Sequence, residues 1–167
     1  MRFLGLCLGA ALLCATAARA DDVQKDLKAA ALPGQPDIKV VCWSVEGSSQ
    51  ITIYRDKTVG QTQKVLYQSG VAGGYLPEIR FIEDIRPGGV PLILIQRNWG
   101  VSIARLEVFG LQRSRMTKLG EIEGFQFDLE HRGKNAVIVA HDMENHEDIR
   151  TVYHWNGHSF VAAKREK

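Results

Sequence analysis

Residues 79–109 read IRFIEDIRPGGVPLILIQRNWGVSIARLEVF, and this stretch decides the fold that we expect for the whole chain. A turn signal at 86–89 leads into the apolar run 90–95, which is short and rich in branched residues. Such a run is typical of a strand that is buried on both faces. The turn at 98–100 then reverses the chain into a strand in which apolar and polar residues alternate over 104–108. The stretch therefore predicts a β-meander.

The same pattern of apolar segments separated by turn residues extends over the rest of the chain. Apolar segments bounded by Gly, Asn, Ser or Pro predict eleven strands. These lie at 38–45, 50–55, 62–69, 77–85, 90–97, 102–109, 115–123, 125–131, 135–142, 149–155 and 159–163. One short helix is predicted over 22–32, because Val23, Leu27 and Ala30 follow helical spacing before Pro33. The fold class is thus an all-β antiparallel meander with a short N-terminal helix.

A weak internal repeat divides the strands into units. Residues 84–94 align with 128–139 at an offset of 44 and then 45 residues. This alignment gives two units of four strands, and residues 38–69 form a third unit with three strands, whose outer strand is either lost or supplied by another part of the chain. Four-stranded units of this length are typical of propeller blades. A partial propeller is the first expectation, and a β-sandwich is the alternative.

The N-terminus has the order of a secretory signal peptide. Arg2 precedes an apolar stretch at 3–16, and Ala18-Arg19-Ala20 follows before Asp21. We expect cleavage after Ala20 and a periplasmic or secreted product, since no other stretch is long and apolar enough to span a membrane. The predicted organisation is a signal peptide at 1–20, a short helix and linker at 21–36 and a single all-β domain at 37–167.

Loss of residues 1–20 leaves a chain without net formal charge. Arg2 and Arg19 leave with the signal, so 21 − 2 = 19 Lys and Arg face 19 Asp and Glu. With no dense basic patch apart from the short tail 164–167, the sequence gives little support for nucleic-acid binding. Cys42 becomes the single cysteine, which prevents an internal disulfide. We expect Cys42 to be a small buried apolar side chain, and a reactive thiol is the alternative.

All five histidines lie in the C-terminal part of the chain, between residues 131 and 158. The segment 141–148 forms a predicted hairpin tip, and imidazole and carboxylate groups together suit zinc, copper or nickel. No recognised metal-binding spacing is present, so we predict an acidic, histidine-containing surface loop and no cofactor. The candidate ligands for the alternative of a metal site are His141, Asp142, Glu144 and His146.

No complete catalytic motif occurs in the sequence. There is no Gly-x-Ser-x-Gly, and paired carboxylates such as Glu83 and Asp84 point to opposite faces of a regular strand. A triad assembled from distant strands is the alternative. The sequence therefore favours a protein that is not an enzyme.

Residues 96–102 offer the clearest candidate for a binding surface. Arginine and tryptophan anchor many protein interfaces, and this predicted hairpin tip carries both. The predicted partner-binding residues are Arg97, Asn98, Trp99 and Ser102. The glycine-rich turns 47–49 and 70–74 are low-profile loops that could enter a cleft of a partner. The alternative is that Trp99 packs back over 90–95 and the glycines only make turns.

The C-terminal half resembles a known family. An acidic loop before an apolar strand is similar to the Asp-x-Asp-x-Asp-Gly loops of FG-GAP and VCBS-type propellers, and residues 153–160 resemble the aromatic-Trp-Asp-Gly-x-x-Phe ending of such proteins. The resemblance covers residues 79–163. Here Asp84 is followed by Arg86 and Gly88, and Asp128 and Glu130 are followed by Arg132. A cation in the loop opposes a calcium ion, so the resemblance implies the blades without the calcium.

In size, export signal and fold class, the chain is also similar to periplasmic immunity proteins that neutralise type VI secreted cell-wall amidases. That resemblance implies an inhibitor whose loops plug the site of a cell-wall hydrolase. We therefore expect a module that binds another protein, without membrane insertion after signal cleavage, and self-association into a homo-oligomer stays open. A metal-binding periplasmic protein or an uncharacterised enzyme is the alternative.

Overall fold

The computed structural model describes residues 25–56, 63–83, 90–100, 103–112, 115–132, 135–144 and 147–166, and these residues form thirteen β-strands. In this part of the chain there is no helix long and apolar enough to cross a membrane. The predicted signal peptide and its cleavage site after Ala20 lie outside the described residues.

Five strands form the N-terminal sheet. The first four pair antiparallel in chain order, and the short fifth strand pairs with the start of the third. The strands are β1 (Lys25–Leu32), β2 (Gln35–Val45), β3 (Ser48–Arg55), β4 (Lys64–Gln68) and β5 (Ala72–Gly73).

The next eight strands form two further sheets, each an antiparallel meander of four strands in chain order. The middle sheet contains β6 (Glu78–Ile82), β7 (Leu92–Asn98), β8 (Ala104–Gln112) and β9 (Arg115–Gly124). The C-terminal sheet contains β10 (Gln126–Arg132), β11 (Asn135–Glu144), β12 (Glu147–Trp155) and β13 (Phe160–Glu166).

Two hydrophobic cores hold the three sheets in one stack. The first core lies between the N-terminal and middle sheets, and includes Ile38, Val40, Cys42, Ile51, Ile53, Ile93, Ile95 and Phe109. The second core lies between the middle and C-terminal sheets, and includes Leu92, Leu94, Leu106, Val108, Ile122, Phe127 and Ile138. The middle sheet is therefore covered on both faces.

Strand β7 is the centre of this arrangement. Leu92 and Leu94 enter the second core, and Ile93 and Ile95 enter the first core. Each of these four side chains is at most 2% exposed. Because successive residues of a strand point to opposite faces, an unbroken apolar run is what a strand between two cores requires. The prediction that this run is a strand buried on both faces is confirmed.

The all-β antiparallel meander is confirmed, and so is the division into four-stranded units. The repeat also holds at the level of topology, since residues 92–94 lie in β7 and the matching residues 137–139 lie in β11, each the second strand of its sheet. The eleven predicted strands are all present, with ends that shift by up to three residues. The two-residue strand β5 was not predicted.

The predicted N-terminal helix is wrong for the described part of its range. Residues 25–32 form strand β1, which pairs along β2 from Lys25 opposite Val45. Leu32 is 1% exposed in the first core. The helical spacing of Leu27 and Ala30 was misleading, because pairing with an open edge of β2 and burial of Leu32 outweigh a weak local preference. Strand β1 is the outer strand that the third unit lacked, so the sheet extends through the predicted 21–36 linker.

Adjacent core residues of β7 provide a test of the double burial. The Ile93 and Leu94 side chains point to opposite faces of β7. Ile93→Ala and Leu94→Ala should each lower the free energy of unfolding by ~2–5 kcal/mol, because each leaves a cavity in a different core. Chemical denaturation measures this loss. Val65→Ala, at a side chain that is 54% exposed, is the control and should change stability little. A large loss for only one of the two core variants would contradict a strand buried on both faces.

Candidate functional site

The loops that the sequence singled out meet at one end of the stacked sheets, which we call the loop end. The Gly74 backbone N–H donates to the Gly47 carbonyl at 2.8 Å, and the Tyr75 N–H donates to the Asn98 carbonyl at 3.0 Å. Backbone hydrogen bonds thus join the β2–β3 turn, the segment before β6 and the β7–β8 turn. The structure brings together three loops that the sequence offered only as separate candidates.

Glycine is required where these loops touch. Gly74 has a φ of +124°, and a Cβ at this position would lie 2.8 Å from the Asn98 carbonyl oxygen. Glu46 and Gly47 form the two-residue turn between β2 and β3, with φ values of 48° and 74°. Positive φ at both positions matches the twist of a tight hairpin. A side chain at position 74 would therefore push the segment before β6 away from the end of β7.

Trp99 lies at the loop end and belongs to neither core. Its indole edge lies against Gly73 and Gly74, where an added Cβ would be 3.8 Å and 3.6 Å from Trp99 Cδ1. The Arg105 guanidinium carbon lies 5.1 Å from the centroid of the indole ring, within the range of a cation–π contact. Trp99 is half-buried and does not pack over 90–95, contrary to the alternative interpretation of the sequence.

Arg97 is buried, although the sequence suggested a place beside an exposed tip. Its side chain is 4% exposed, and Nε donates to Glu107 Oε2 at 3.1 Å. Nη1 donates to Ser49 Oγ and Nη2 to Ser69 Oγ, both at 2.9 Å. Arg97 therefore binds the N-terminal sheet to the middle sheet from within, and it holds the loops in place.

Glu107 is the buried partner of Arg97. It is one of the polar residues that alternate with apolar ones in β8, yet its side chain is only 9% exposed, and its Oε1 accepts from Lys118 Nζ at 2.6 Å. Burial lowers the pKa of Lys118, but hydrogen bonds to Glu107 and Glu121 raise it, and the net pKa lies above the usual lysine value. Both oxygens of Glu107 are thus occupied by cations.

These groups belong to a chain of charges with alternating sign, which we call the charge ladder. Its members follow in the order Arg97, Glu107, Lys118, Glu121, Arg105 and Glu123. The ladder begins at the buried Arg97 and ends at Glu123, whose side chain is 68% exposed. It therefore leads from the interior between two sheets to the surface of the middle sheet.

A cleft of about 270 Å³ opens at the loop end between the N-terminal and middle sheets. Its lining includes Tyr67, Ser69, Val71, Arg97, Trp99 and Arg105. Burial raises the pKa of Tyr67, and the nearby Glu107 carboxylate raises it further. The phenol therefore stays neutral around neutral pH and can act as a hydrogen-bond donor.

Asn98 and Ser102 complete the predicted set of binding residues. The Asn98 side-chain oxygen accepts from Gln96 Nε2 at 3.0 Å, while its carbonyl receives the Tyr75 N–H. Asn98 thus shapes the β7–β8 turn, and its side chain is half-buried. Ser102 lies outside the described residues.

The loop end also carries exposed apolar side chains. Tyr75 follows Gly74, Ile103 precedes β8, and both are at least 60% exposed. The others at this end are Val71, Phe125 and Met143. Three further exposed apolar residues lie elsewhere on the described surface. Leu27 lies on the edge strand β1, and Val65 and Val161 lie towards the opposite ends of their sheets, near the start of β4 and of β13.

The candidate metal ligands do not converge in the described part of the chain, which contains no group of three or more His, Cys, Asp or Glu placed to hold a metal ion. His141 lies on β11, where Nε2 contacts Asp128 Oδ2 at 3.0 Å and Nδ1 contacts both oxygens of Asp148 at 3.2 Å. The two carboxylates approach opposite edges of the ring and cannot share one ion. Glu144 pairs with Arg165, and Asp142 accepts from the Met143 N–H. His146 lies outside the described residues.

Cys42 is fully buried in the first core. Burial raises the pKa of its thiol to about 12, against a smaller opposing effect of Arg97. Since the thiolate is the reactive form, the folded environment keeps this thiol inert.

Sequence reasoning missed the partners of Arg97. Arg97 follows Ile93 and Ile95 at period two, and this spacing was the signal that its side chain shares their buried face. Nothing comparable marks Ser69, which reaches Arg97 through the packing of the N-terminal sheet on the middle sheet, or Lys118, which reaches Glu107 across the β8–β9 hairpin.

No family model, no curated protein and no solved structure matches this chain.

The buried pair gives a prediction about stability. Arg97→Leu should lower the free energy of unfolding by ~3–5 kcal/mol, because it leaves Glu107 and two hydroxyl groups without their buried partner. Glu107→Leu should do the same to Arg97. The double variant should lose clearly less than the sum of the two single losses, since neither charge is then left alone. Chemical denaturation of all three variants measures this coupling. Glu123→Gln, at an exposed member of the ladder, is the control and should change stability little. Additive losses in the double variant would contradict the coupling.

Cys42 gives a prediction about reactivity. At about pH 8 the folded protein should react with a thiol reagent only as fast as it unfolds, because the thiol is buried and protonated. The rate should rise sharply in denaturant, where the thiol recovers its ordinary pKa. Rapid labelling of Cys42 without denaturant would show that its surroundings open far more readily than the packing indicates.

Proposed function

We propose that this chain is an exported protein-binding module and that the loop end is its binding surface. In its most specific form, it is an inhibitor or immunity protein that blocks a cell-wall hydrolase. The observation that carries the proposal is the collection of exposed apolar and aromatic side chains at the loop end, beside one cleft. Val71 and the half-buried Trp99 line the cleft, and backbone hydrogen bonds join Tyr75 to Asn98 and Ile103 to Trp99.

The composition of this surface supports protein binding. Aromatic residues and arginine are enriched at the centres of interfaces, where they lose contact with water on binding. Exposed apolar side chains that are scattered singly need no explanation, but a group of them at one end of a molecule favours an interaction site. Trp99 with Arg105 stacked on it combines the two residue types in one contact.

The loops are also held before any partner arrives. Gly74 is bonded to Gly47, Tyr75 is bonded to Asn98, and Arg97 reaches Ser49 and Ser69 beneath them. A partner that binds preformed loops loses less conformational entropy than one that must order them. This is the arrangement that a tight inhibitor needs, since its affinity depends on a few well-placed anchors.

The compartment comes from the leader sequence. The order of residues 1–20 favours export, and an exported binding module without a charge preference for nucleic acid fits partners in the periplasm. Low-profile glycine loops at 47–49 and 70–74 suit insertion into the cleft of an enzyme. We therefore assign contact roles to Asn98 and Trp99 and a positioning role to the buried Arg97, and contact by Ser102 stays a prediction from the sequence.

The test uses two matched pairs of surface variants. Tyr75→Ala with Ile103→Ala removes apolar area at the loop end, and it should weaken partner binding by ~2 kcal/mol or more, roughly thirtyfold, while leaving the melting temperature unchanged. Val65→Ala with Val161→Ala removes comparably exposed side chains elsewhere and should leave binding unchanged. The partner is captured from a periplasmic extract, and affinity is measured by titration with each variant.

Inhibition separates the specific proposal from the general one. The captured partner should digest purified cell wall, and the unmodified chain should stop this digestion at stoichiometric concentration while the Tyr75 and Ile103 variant fails. If the captured partner does not digest cell wall, the proposal of a protein-binding module stands and the proposal of a hydrolase inhibitor falls. Equal binding by both variant pairs would remove the loop end as the binding surface. A shift from oligomer to monomer in the loop-end variant alone would assign the surface to a second copy of the chain.

A further inference from the structure

The volume of the cleft at the loop end and the charges of its lining residues indicate which chemical group binds there. We propose that the cleft receives a carboxylate side chain, Asp or Glu, from the bound partner. This inference rests on the proposed function, because it names the chemistry of the group that the partner inserts between Trp99 and the segment 69–72.

Size is the first argument. The cleft encloses about 270 Å³. Pockets for cofactors and other drug-sized ligands usually measure ~300–1,000 Å³. The cleft therefore lies just below that range, and it suits one side chain that enters from the loop end.

The charge of the lining is the second argument. Arg97 and Arg105 both line the cleft, and Glu107 is the one acidic residue among the described residues of its lining. Glu107 is already held by two cations, Arg97 at 3.1 Å and Lys118 at 2.6 Å. Arg97, the first member of the charge ladder, thus presents a cation at the cleft, and an entering anion would continue the alternation of sign. At Arg105 the anion would compete with Glu121 and Glu123, which both lie 2.6 Å from its guanidinium group.

The walls strengthen such a contact. Trp99 and Val71 provide apolar surface beside the two guanidinium groups, and they exclude water when a partner covers the cleft. An ion pair that is shielded from water is stronger than the same pair in solvent, provided that its hydrogen bonds are made. Guanidinium groups also bind carboxylates with two parallel hydrogen bonds, which fixes the direction of approach.

A neutral phenol at the cleft fits the same ligand, whereas the Ser69 hydroxyl only holds Arg97 in place. Ser69 Oγ accepts from Arg97 Nη2 and from the Ile51 N–H, and it donates its one hydrogen to the Gly70 carbonyl. The Tyr67 phenol, whose pKa is raised, keeps its proton and can donate to a carboxylate oxygen. A cationic side chain would meet Arg97, Arg105 and a donor, and it would be repelled.

The experiment compares two small probes that differ only in charge. N-acetylglutamic acid α-amide carries the carboxylate, and N-acetylglutamine α-amide is its neutral counterpart of the same shape. Binding is followed by NMR at the indole N–H of Trp99, assigned with a Trp99→Phe variant. The acid should give a saturable shift that weakens at high salt, because salt screens charge. The amide should give little shift.

Two variants move the affinity in opposite directions. Arg105→Gln should weaken binding of the acid by about twofold to fivefold, the range expected for a partly exposed ion pair. Glu123→Gln should strengthen it, because Glu123 pairs with Arg105 at 2.6 Å and competes for its charge. A purely structural role of the ladder would not produce opposite signs. Both variants should keep the unmodified melting temperature.

The outcomes separate this inference from the proposed function. Equal shifts with both probes, no shift with either, or no change in Arg105→Gln would overturn the carboxylate assignment. If the Tyr75 and Ile103 variant still loses its partner in that case, the binding surface stands and only its ligand chemistry falls. If the acid binds as described while that variant keeps its partner, the cleft takes carboxylates and the proposed protein-binding function fails.

Discussion

The burial of β7 on both faces is the constraint on which the rest of the structure depends. Leu92 and Leu94 belong to one core and Ile93 and Ile95 to the other, so a single strand holds three sheets together. Removing either outer sheet would expose a full face of apolar side chains to water, at a free-energy cost that grows with the exposed area. The middle sheet therefore lies between the other two, because each of its faces packs against one of them.

At the loop end the same strand changes character. Beyond Ile95, the face that supplied the first core supplies Arg97 and then Trp99. Arg97 remains buried because Glu107, Ser49 and Ser69 accept its hydrogen bonds. These polar contacts hold the N-terminal and middle sheets together beyond the end of the apolar core. Arg97 therefore holds the loops above it in place, and Trp99 lies on these fixed loops. The proposed binding surface is an extension of the packing between two sheets.

Local patterns in the sequence were enough to predict the fold class, the positions of eleven strands and the grouping of strands into units. These features depend on local information: alternation or runs of apolar residues, and turn residues between them. The sequence also marked the loops at 47–49, 70–74 and 96–102. It failed at β1, because the short segment 25–32 carries a helical spacing of small residues, and its strand conformation comes from pairing with β2. A local sequence pattern does not show that the unpaired edge of another strand is available for pairing.

That the three marked loops lie together and that Arg97 supports them from below is visible in the folded chain and not in local sequence patterns. Arg97 meets Ser49 and Ser69 across separations of 48 and 28 residues, and Glu107 meets Lys118 across the β8–β9 hairpin. The sequence likewise could not exclude that His141 joins other ligands, whereas the fold places Asp128 and Asp148 on opposite edges of its ring. The physical reason is the same in each case. A residue's type and spacing fix its preferences, but its partners are fixed by the register of the strands within a sheet and by the stacking of the sheets, and both depend on the rest of the chain.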